Sequence, residues 1–287
     1  IDPEIAGEAF EQLGRAGLLM ITGGTVRTLR FSRLSDREVI YAELPAGQRR
    51  ALHARVAAVL SARGASLDRL ASHFDAADDH PNAARCCGEV ARQAFARGAW
   101  ADALRLFGAA GRHLAALGED RSECELGEIE CLSRLASYRE ARTRALELVA
   151  RLTVPAQRIR ALTAAAACAS NEGDLEAARA IVRRAREELS PAAPAALRAD
   201  VHLRCASIFQ AMGQPLEALD ELTAAGPLAG EEQAAALLAQ RAGLLAETGQ
   251  LEAARPLASE AHARARGGER REDLAVALLS LGRVLEL

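Results

Sequence analysis

The side chains best suited to recognise another molecule are Arg85, Glu89, Arg92, Glu130, Arg134, Arg160, Ser170, Asn171, Arg204, Gln210, Gln240 and Glu247. The guanidinium groups among them can grip a carboxylate or phosphate through two parallel hydrogen bonds. The same residues also suit an ordinary solvated face with scattered charge, and both readings stand at this point. No catalytic constellation accompanies them. There is no HExxH, no GxSxG and no glycine-rich phosphate loop followed by lysine. All 36 basic residues are arginine, so Schiff-base, P-loop and kinase lysines are excluded together. No catalytic residue, cofactor or metal is expected, and any ATPase, kinase or cyclase activity would lie outside this chain.

Two further clusters invite chemistry. His73 and His80 bracket Asp75, Asp78 and Asp79. The spacing is not that of a helical histidine pair at i, i+4, and it fits a capped turn with a packed His73 better than a metal site. The six cysteines (Cys86, Cys87, Cys124, Cys131, Cys168 and Cys205) form no CxxC pair. Small buried hydrophobes in a reducing compartment is the simplest reading, with a disulfide framework or zinc site as alternatives.

What must position the polar residues is a repeat. The phrase Gly-x-aromatic/aliphatic-x-x-Ala occurs as Gly98–Trp100–Ala103, Ala136–Tyr138–Ala141, Gly173–Leu175–Ala178, Gly213–Pro215–Ala218 and Gly249–Leu251–Ala254. Successive starts lie 38, 37, 40 and 36 residues apart, a period typical of stacked helical hairpins. The helix after each turn continues the pattern. Its inward positions read Ala103, Phe107, Ala110; Ala141, Ala145, Leu148; Ala178, Val182, Ala185; Ala218, Leu222, Ala225; and Ala254, Ala258, Ala261. These steps of four and three residues lie on one helical face. The polar residues named first lie on the helix before each turn, the one that lines the concave groove of such an array. Ala136 replaces glycine in one turn, Pro256 is expected to kink its helix or delay its start, and Arg271 to Leu285 read as the first helix of an uncompleted sixth hairpin.

Composition agrees. Alanine fills 66 of 287 positions and aromatics only 3%, which favours closely approaching helices. A net charge of −3 gives no electrostatic reason to expect nucleic acid as a partner. The longest apolar run, around Ala161–Ala169, is far short of the roughly 20 residues that span a bilayer, so no membrane is expected. The chain reads as a piece of a larger cytoplasmic protein.

The N-terminal stretch differs. Residues 2 to 17 read as a helix capped by Asp2, with Pro3 in its first turn and Ile5, Phe10 and Leu13 as its stripe. Leu18 to Thr22, a two-residue Gly23-Gly24 turn and Thr25 to Ser32 read as a β-hairpin, followed by a helix from about Ser35 to Leu44. This is the layout that ends a winged-helix domain. Arg27 and Arg30 could touch a phosphate backbone, or simply sit on a solvated wing.

The run from Leu29 to Pro45 (LRFSRLSDREVIYAELP) leads into Arg49-Arg50-Ala51-Leu52-His53 and later Leu70-Ala71-Ser72-His73-Phe74. It resembles the segment after the ATPase in large bacterial signalling ATPases of the STAND class, such as LuxR-type regulators with a big ATPase and kinase or cyclase fusions. Arg33 stands where that class often has histidine. The later hairpins are similar to tetratricopeptide repeats in a degenerate, slightly long form. The resemblance implies a winged-helix end over 1–63 that relays nucleotide state to a repeat array over 64–287. The expected fold is all-α, a right-handed superhelix of tetratricopeptide-like hairpins with a short β-hairpin near the N-terminus. The expected role is non-catalytic and regulatory. A protein or peptide would be held in the groove, or the ATPase domain of the same polypeptide. A small-molecule inducer, or DNA contact through the wing, is the alternative. With no lysine, and only Asn82 and Asn171 as asparagines, the lysine/asparagine clamp of chaperone-binding relatives is not expected.

Overall fold

The computed structural model describes residues 3–22, 28–267 and Gly282. Contacts divide the chain into two compact units, Ile1–Asp79 and His80–Leu287.

In the first unit, helix α1 (Pro3–Arg15) leads to an antiparallel pair, β1 (Leu19–Thr22) and β2 (Thr28–Phe31), in which Leu19 faces Phe31 and Thr22 faces Thr28. That register places five residues, 23–27, between the strands, where the sequence suggested a two-residue Gly-Gly turn. Asp2, the glycine pair and Arg27 lie outside the described residues. Helices α2 (Leu34–Glu43), α3 (Ala46–Ala62) and α4 (Leu67–Ala77) follow. α3 and α4 pack as a hairpin around Gly64 at φ 65°.

Among its described residues the second unit is a superhelical stack of five hairpins: α5 (His80–Ala96) with α6 (Trp100–Leu117), α7 (Ser122–Arg134) with α8 (Tyr138–Arg151), α9 (Pro155–Asn171) with α10 (Leu175–Glu188), α11 (Ala195–Ala211) with α12 (Pro215–Ala225), and α13 (Glu231–Glu247) with α14 (Leu251–Gly267). The repeated phrase closes each hairpin. Gly98, Gly173, Gly213 and Gly249 take φ of 78°, 80°, 69° and 79°, and Ala136 takes 59° in the same left-handed turn. All the inward positions read from the sequence, from Ala103 to Ala261, are buried. Most are alanine, which lets paired helices approach closely. Where bulk intrudes, glycine yields: a Cβ on Gly127 would meet the Phe107 ring at 2.7 Å. Pro155 and Pro215 begin their helices, where a missing N–H leaves nothing unsatisfied. Pro256 neither breaks nor delays α14, which begins at Leu251 and continues past it. The six cysteines all lie on first helices and are buried free thiols, and burial pushes Cys131 and Cys205 up to about 12. Residues 271 to 285, expected as a sixth hairpin's first helix, lie outside the described residues apart from Gly282.

Candidate interaction site

The first helices of successive hairpins pack on one another, α7 on α9, α9 on α11 and α11 on α13, and their outward residues join into a polar ladder. Arg160 of α9 donates through Nη1 to Glu123 Oε2 of α7 at 2.8 Å, and its Nη2 lies 3.7 Å from Glu130 Oε1. Gln157 adds a bond to Glu123 Oε1 at 3.1 Å. Arg204 of α11 donates to Asp200 at 2.9 Å and brings Nη2 to 3.9 Å from that same Glu130 oxygen. From α11 to α13, Gln210 donates to Glu247 at 2.8 Å, and Gln240 donates back to the Ser207 hydroxyl at 2.8 Å. Gln233 reaches the Ala196 carbonyl at 2.9 Å.

Local sequence explains this spacing. Counting in helical steps from Arg160, the same face of α9 carries Ala164, Ala167 and Asn171. Their small side chains let guanidinium and carboxylate groups from α11 and α7 approach over α9. The pairs are exposed or half-buried, a setting in which each ion pair is worth about 0–1 kcal/mol, so an incoming ligand can replace them at little cost. Burial is the strongest single influence on Glu123 and works against its ionisation, but the hydrogen bond and charge of Arg160 and the hydrogen bond from Gln157 together outweigh it and hold the carboxyl below its ordinary value.

The structure thus brings Glu130, Arg160 and Arg204 together, and Gln210 with Glu247. Arg85, Glu89 and Arg92 lie on α5, where Arg92 donates to Glu89 at 2.7 Å. Bonds from Arg92 and Gln93 lower the Glu89 carboxyl. Arg134 and Asn171 are exposed at the ends of α7 and α9, and the buried Ser170 hydroxyl makes no hydrogen bond among the described residues. Glu123, Gln157, Asp200 and Ser207 were not among the sequence candidates. The signal for them was present: Glu123 precedes Glu130 by seven residues, and Asp200 and Ser207 flank Arg204 by four and three.

His73 and His80 do not share a site. His73 Nδ1 lies 2.9 Å from His53 Nδ1, whose Nε2 is 2.8 Å from the Tyr41 hydroxyl. His80 Nδ1 lies 2.8 Å from His113 Nδ1. Among the described residues no group of three or more histidine, cysteine or acidic side chains could hold a metal ion, and no helix is long and apolar enough to cross a membrane. A cluster of polar contacts around the buried Glu221 ties α10, α11 and α12. Glu221, only 4% exposed, sits 2.6 Å from His202 Nδ1 and 3.2 Å from Arg186 Nη1. On the hairpin, Arg30 is exposed opposite Met20.

No protein-family profile matches the chain, and no curated protein does. Solved structures do. A thermophilic TPR protein of Thermus thermophilus is 21% identical, with a TM-score of 0.56 over 70% of this chain and 99% of that one. The apo quorum sensor NprR from B. thuringiensis is 14% identical, with a TM-score of 0.56 over 96% of this chain and 80% of its own. NprR in complex with its cognate peptide NprX gives 13% and 0.57, over 99% and 81%. Identities this low establish the fold and nothing finer: the chain is built on a superhelical stack of tetratricopeptide-type hairpins.

Proposed function

We propose that the repeat unit is a non-catalytic docking scaffold whose polar ladder holds a segment of a protein or peptide partner. The single observation that carries this reading is the run of hydrogen-bonded, readily exchanged side chains from Glu123 to Glu247 along four consecutive first helices. An extended segment has its own amides, carbonyls and carboxylates at comparable spacing. It can take over bonds from Arg160, Arg204, Gln210 and Gln240 while its side chains rest on Ala164 and Ala167. The solved complex of NprR with its peptide supports the reading by analogy of fold. We further propose that the chain is the regulatory part of a larger cytoplasmic signalling ATPase, with residues 1–63 as the end of a winged-helix domain. The helix–hairpin–helix order of the first unit supports that assignment.

The test is a selection from a random peptide display library against the 287-residue chain. The selected peptides are expected to lose at least about tenfold in affinity, equivalent to 1.4 kcal/mol, for Arg160→Ala/Arg204→Ala. Equal binding by that double variant would remove the ladder from the site. In calorimetry the same chain is expected to bind no ATP, and micromolar binding would overturn the non-catalytic assignment.

A further inference from the structure

The five turns at Gly98, Ala136, Gly173, Gly213 and Gly249 align the hairpins position by position. Eight residues before each turn stand Val90, Glu128, Ala165, Cys205 and Arg241. Val90, Ala165 and Cys205 are buried core, so Glu128 puts a carboxylate at a position where three other hairpins carry an apolar side chain. Eight residues after each turn stand Leu106, Arg144, Ile181, Glu221 and Leu257. Arg144 therefore also replaces an aliphatic residue, and its Nη1 donates to Glu128 Oε2 at 2.9 Å. The facing helix complements both changes. Gly108 and Gly111 stand where the next hairpin has Leu146 and Val149, and a Cβ at either glycine would lie 3.8 or 3.9 Å from Glu128 Oε1.

These departures open a cleft of about 450 Å³ between α6, α7 and α8, within the range of small-molecule sites. Four guanidinium groups reach it, from Arg112, Arg121, Arg144 and Arg151. Against them stand the lining carboxylates of Glu125, Glu128 and Glu147, and Glu140 lies 2.7 Å from Arg144 Nη2. Positive charge is in excess only around Glu125. Arg121 Nε and Arg151 Nη2 both contact Glu125 Oε1, at 3.3 and 3.1 Å, so two cations share one anion. A guanidinium has five donors, and each of these can serve Glu125 and a ligand together. Burial raises the Glu128 carboxyl above its ordinary value, the mark of a seam partly shielded from water. At the same aligned position as Arg144, Glu221 also breaks the pattern, but there the charge is sealed by Arg186 and His202.

We propose that the α6–α7–α8 cleft is a binding site for a compact dianion, a phosphate monoester or a dicarboxylate, held by Arg121, Arg144 and Arg151 and admitted by the missing side chains of Gly108 and Gly111. This site is independent of the concave ladder. The dianion adds a partner to the two guanidinium groups that share Glu125, and the aliphatic floor of Ile129 and Leu148 takes its carbon skeleton.

The experiment is calorimetric titration of the 287-residue chain at low ionic strength with inorganic phosphate and with succinate, each as probe. Saturable one-site binding of either anion is expected, and the preferred one identifies the source chemistry. Gly108→Leu should fill the cleft and Arg121→Gln/Arg151→Gln should remove the excess charge, each weakening binding at least about tenfold. Gly108→Leu should keep the helical circular dichroism and melting temperature of the parent. The arginine variant alters side chains that are only partly buried, so it provides the same readout should Gly108→Leu fail to fold. No saturation by either anion up to about 10 mM, weaker than the millimolar scale of feeble complexes, would overturn the proposal. So would binding unchanged in both variants.

Discussion

In the first unit, α2 buries no residue and α3 buries only Ala57, leaving Leu34, Val39 and Val59 more than half exposed. In the second unit, every helix from α5 to α14 contributes buried residues, and α9 alone buries ten. Both units are built mostly from helices, with alanine at 14 of 79 positions in the first and 52 of 208 in the second. The difference lies in stacking. A helix inside a repeat array has its hairpin partner on one side and the next hairpin on another, so its alanines are covered from both directions. Among the described residues of the first unit, α1 packs on β1, α2 on β2 and α3 on α4.

The largest effect should separate the two units directly. Leu162→Ala, at a fully buried site on α9, should cost about 3 kcal/mol by the cavity it leaves. Val39→Ala, 58% exposed on α2, should cost less than about 0.5 kcal/mol. Denaturant melts of both variants check this, and comparable losses would remove the contrast. Gly127→Ala comes next. Its methyl would enter the Phe107 ring, so about 1–3 kcal/mol of stability should be lost, although a helical glycine is ordinarily improved by alanine.

A smaller effect, of opposite sign, is expected at the turn of the second hairpin. Ala136 is held at φ 59°, which costs an L-residue about 1–2 kcal/mol. Ala136→Gly should therefore raise stability by about 1 kcal/mol, after the entropy that glycine loses on folding.

The smallest effect distinguishes the units by pH. Burial first, then neighbouring His53 and Arg69, hold the His73 imidazole below its ordinary 6.5. The unfolded chain binds more protons there than the folded one, so the contribution of His73 is complete above pH 6.5 and is lost as pH falls through its lower folded value. In the second unit, the bond from Arg158 lowers Glu188 below 4.5, so its contribution fails only in more acidic solution. Hydrogen exchange followed from pH 7 downward should show α3 and α4 opening first, and His73→Gln should flatten that response.

The parts of this fold that were legible in the sequence are those set within one hairpin. The turn glycines, the alanines four and three residues apart and the cysteines on first helices all follow from helical periodicity, and each takes its expected place. The hairpin loop of the first unit was misjudged because Gly23-Gly24 is a strong local turn signal, while the register from Leu19–Phe31 to Thr22–Thr28 is set by pairing further along. What was not legible depends on contacts between residues far apart in the sequence, within a hairpin or between hairpins. His53 meets His73 across 20 residues, His80 meets His113 across 33 and Arg160 meets Glu123 across 37. No local spacing carries such pairs, and the run from His73 to His80, read as a capped turn with a packed His73, gave no sign that each histidine meets another histidine. Aligning the hairpins recovers part of this: Glu128, Arg144 and Glu221 stand out once placed beside the aliphatic residues of their sister repeats.

The most direct measurement of the central claim is hydrogen exchange of the chain with and without a selected peptide. The account predicts that added protection falls on the first helices α7, α9, α11 and α13, and leaves the second helices α8, α10 and α12 unchanged. Protection concentrated on the second helices, or confined to the first unit, would contradict it.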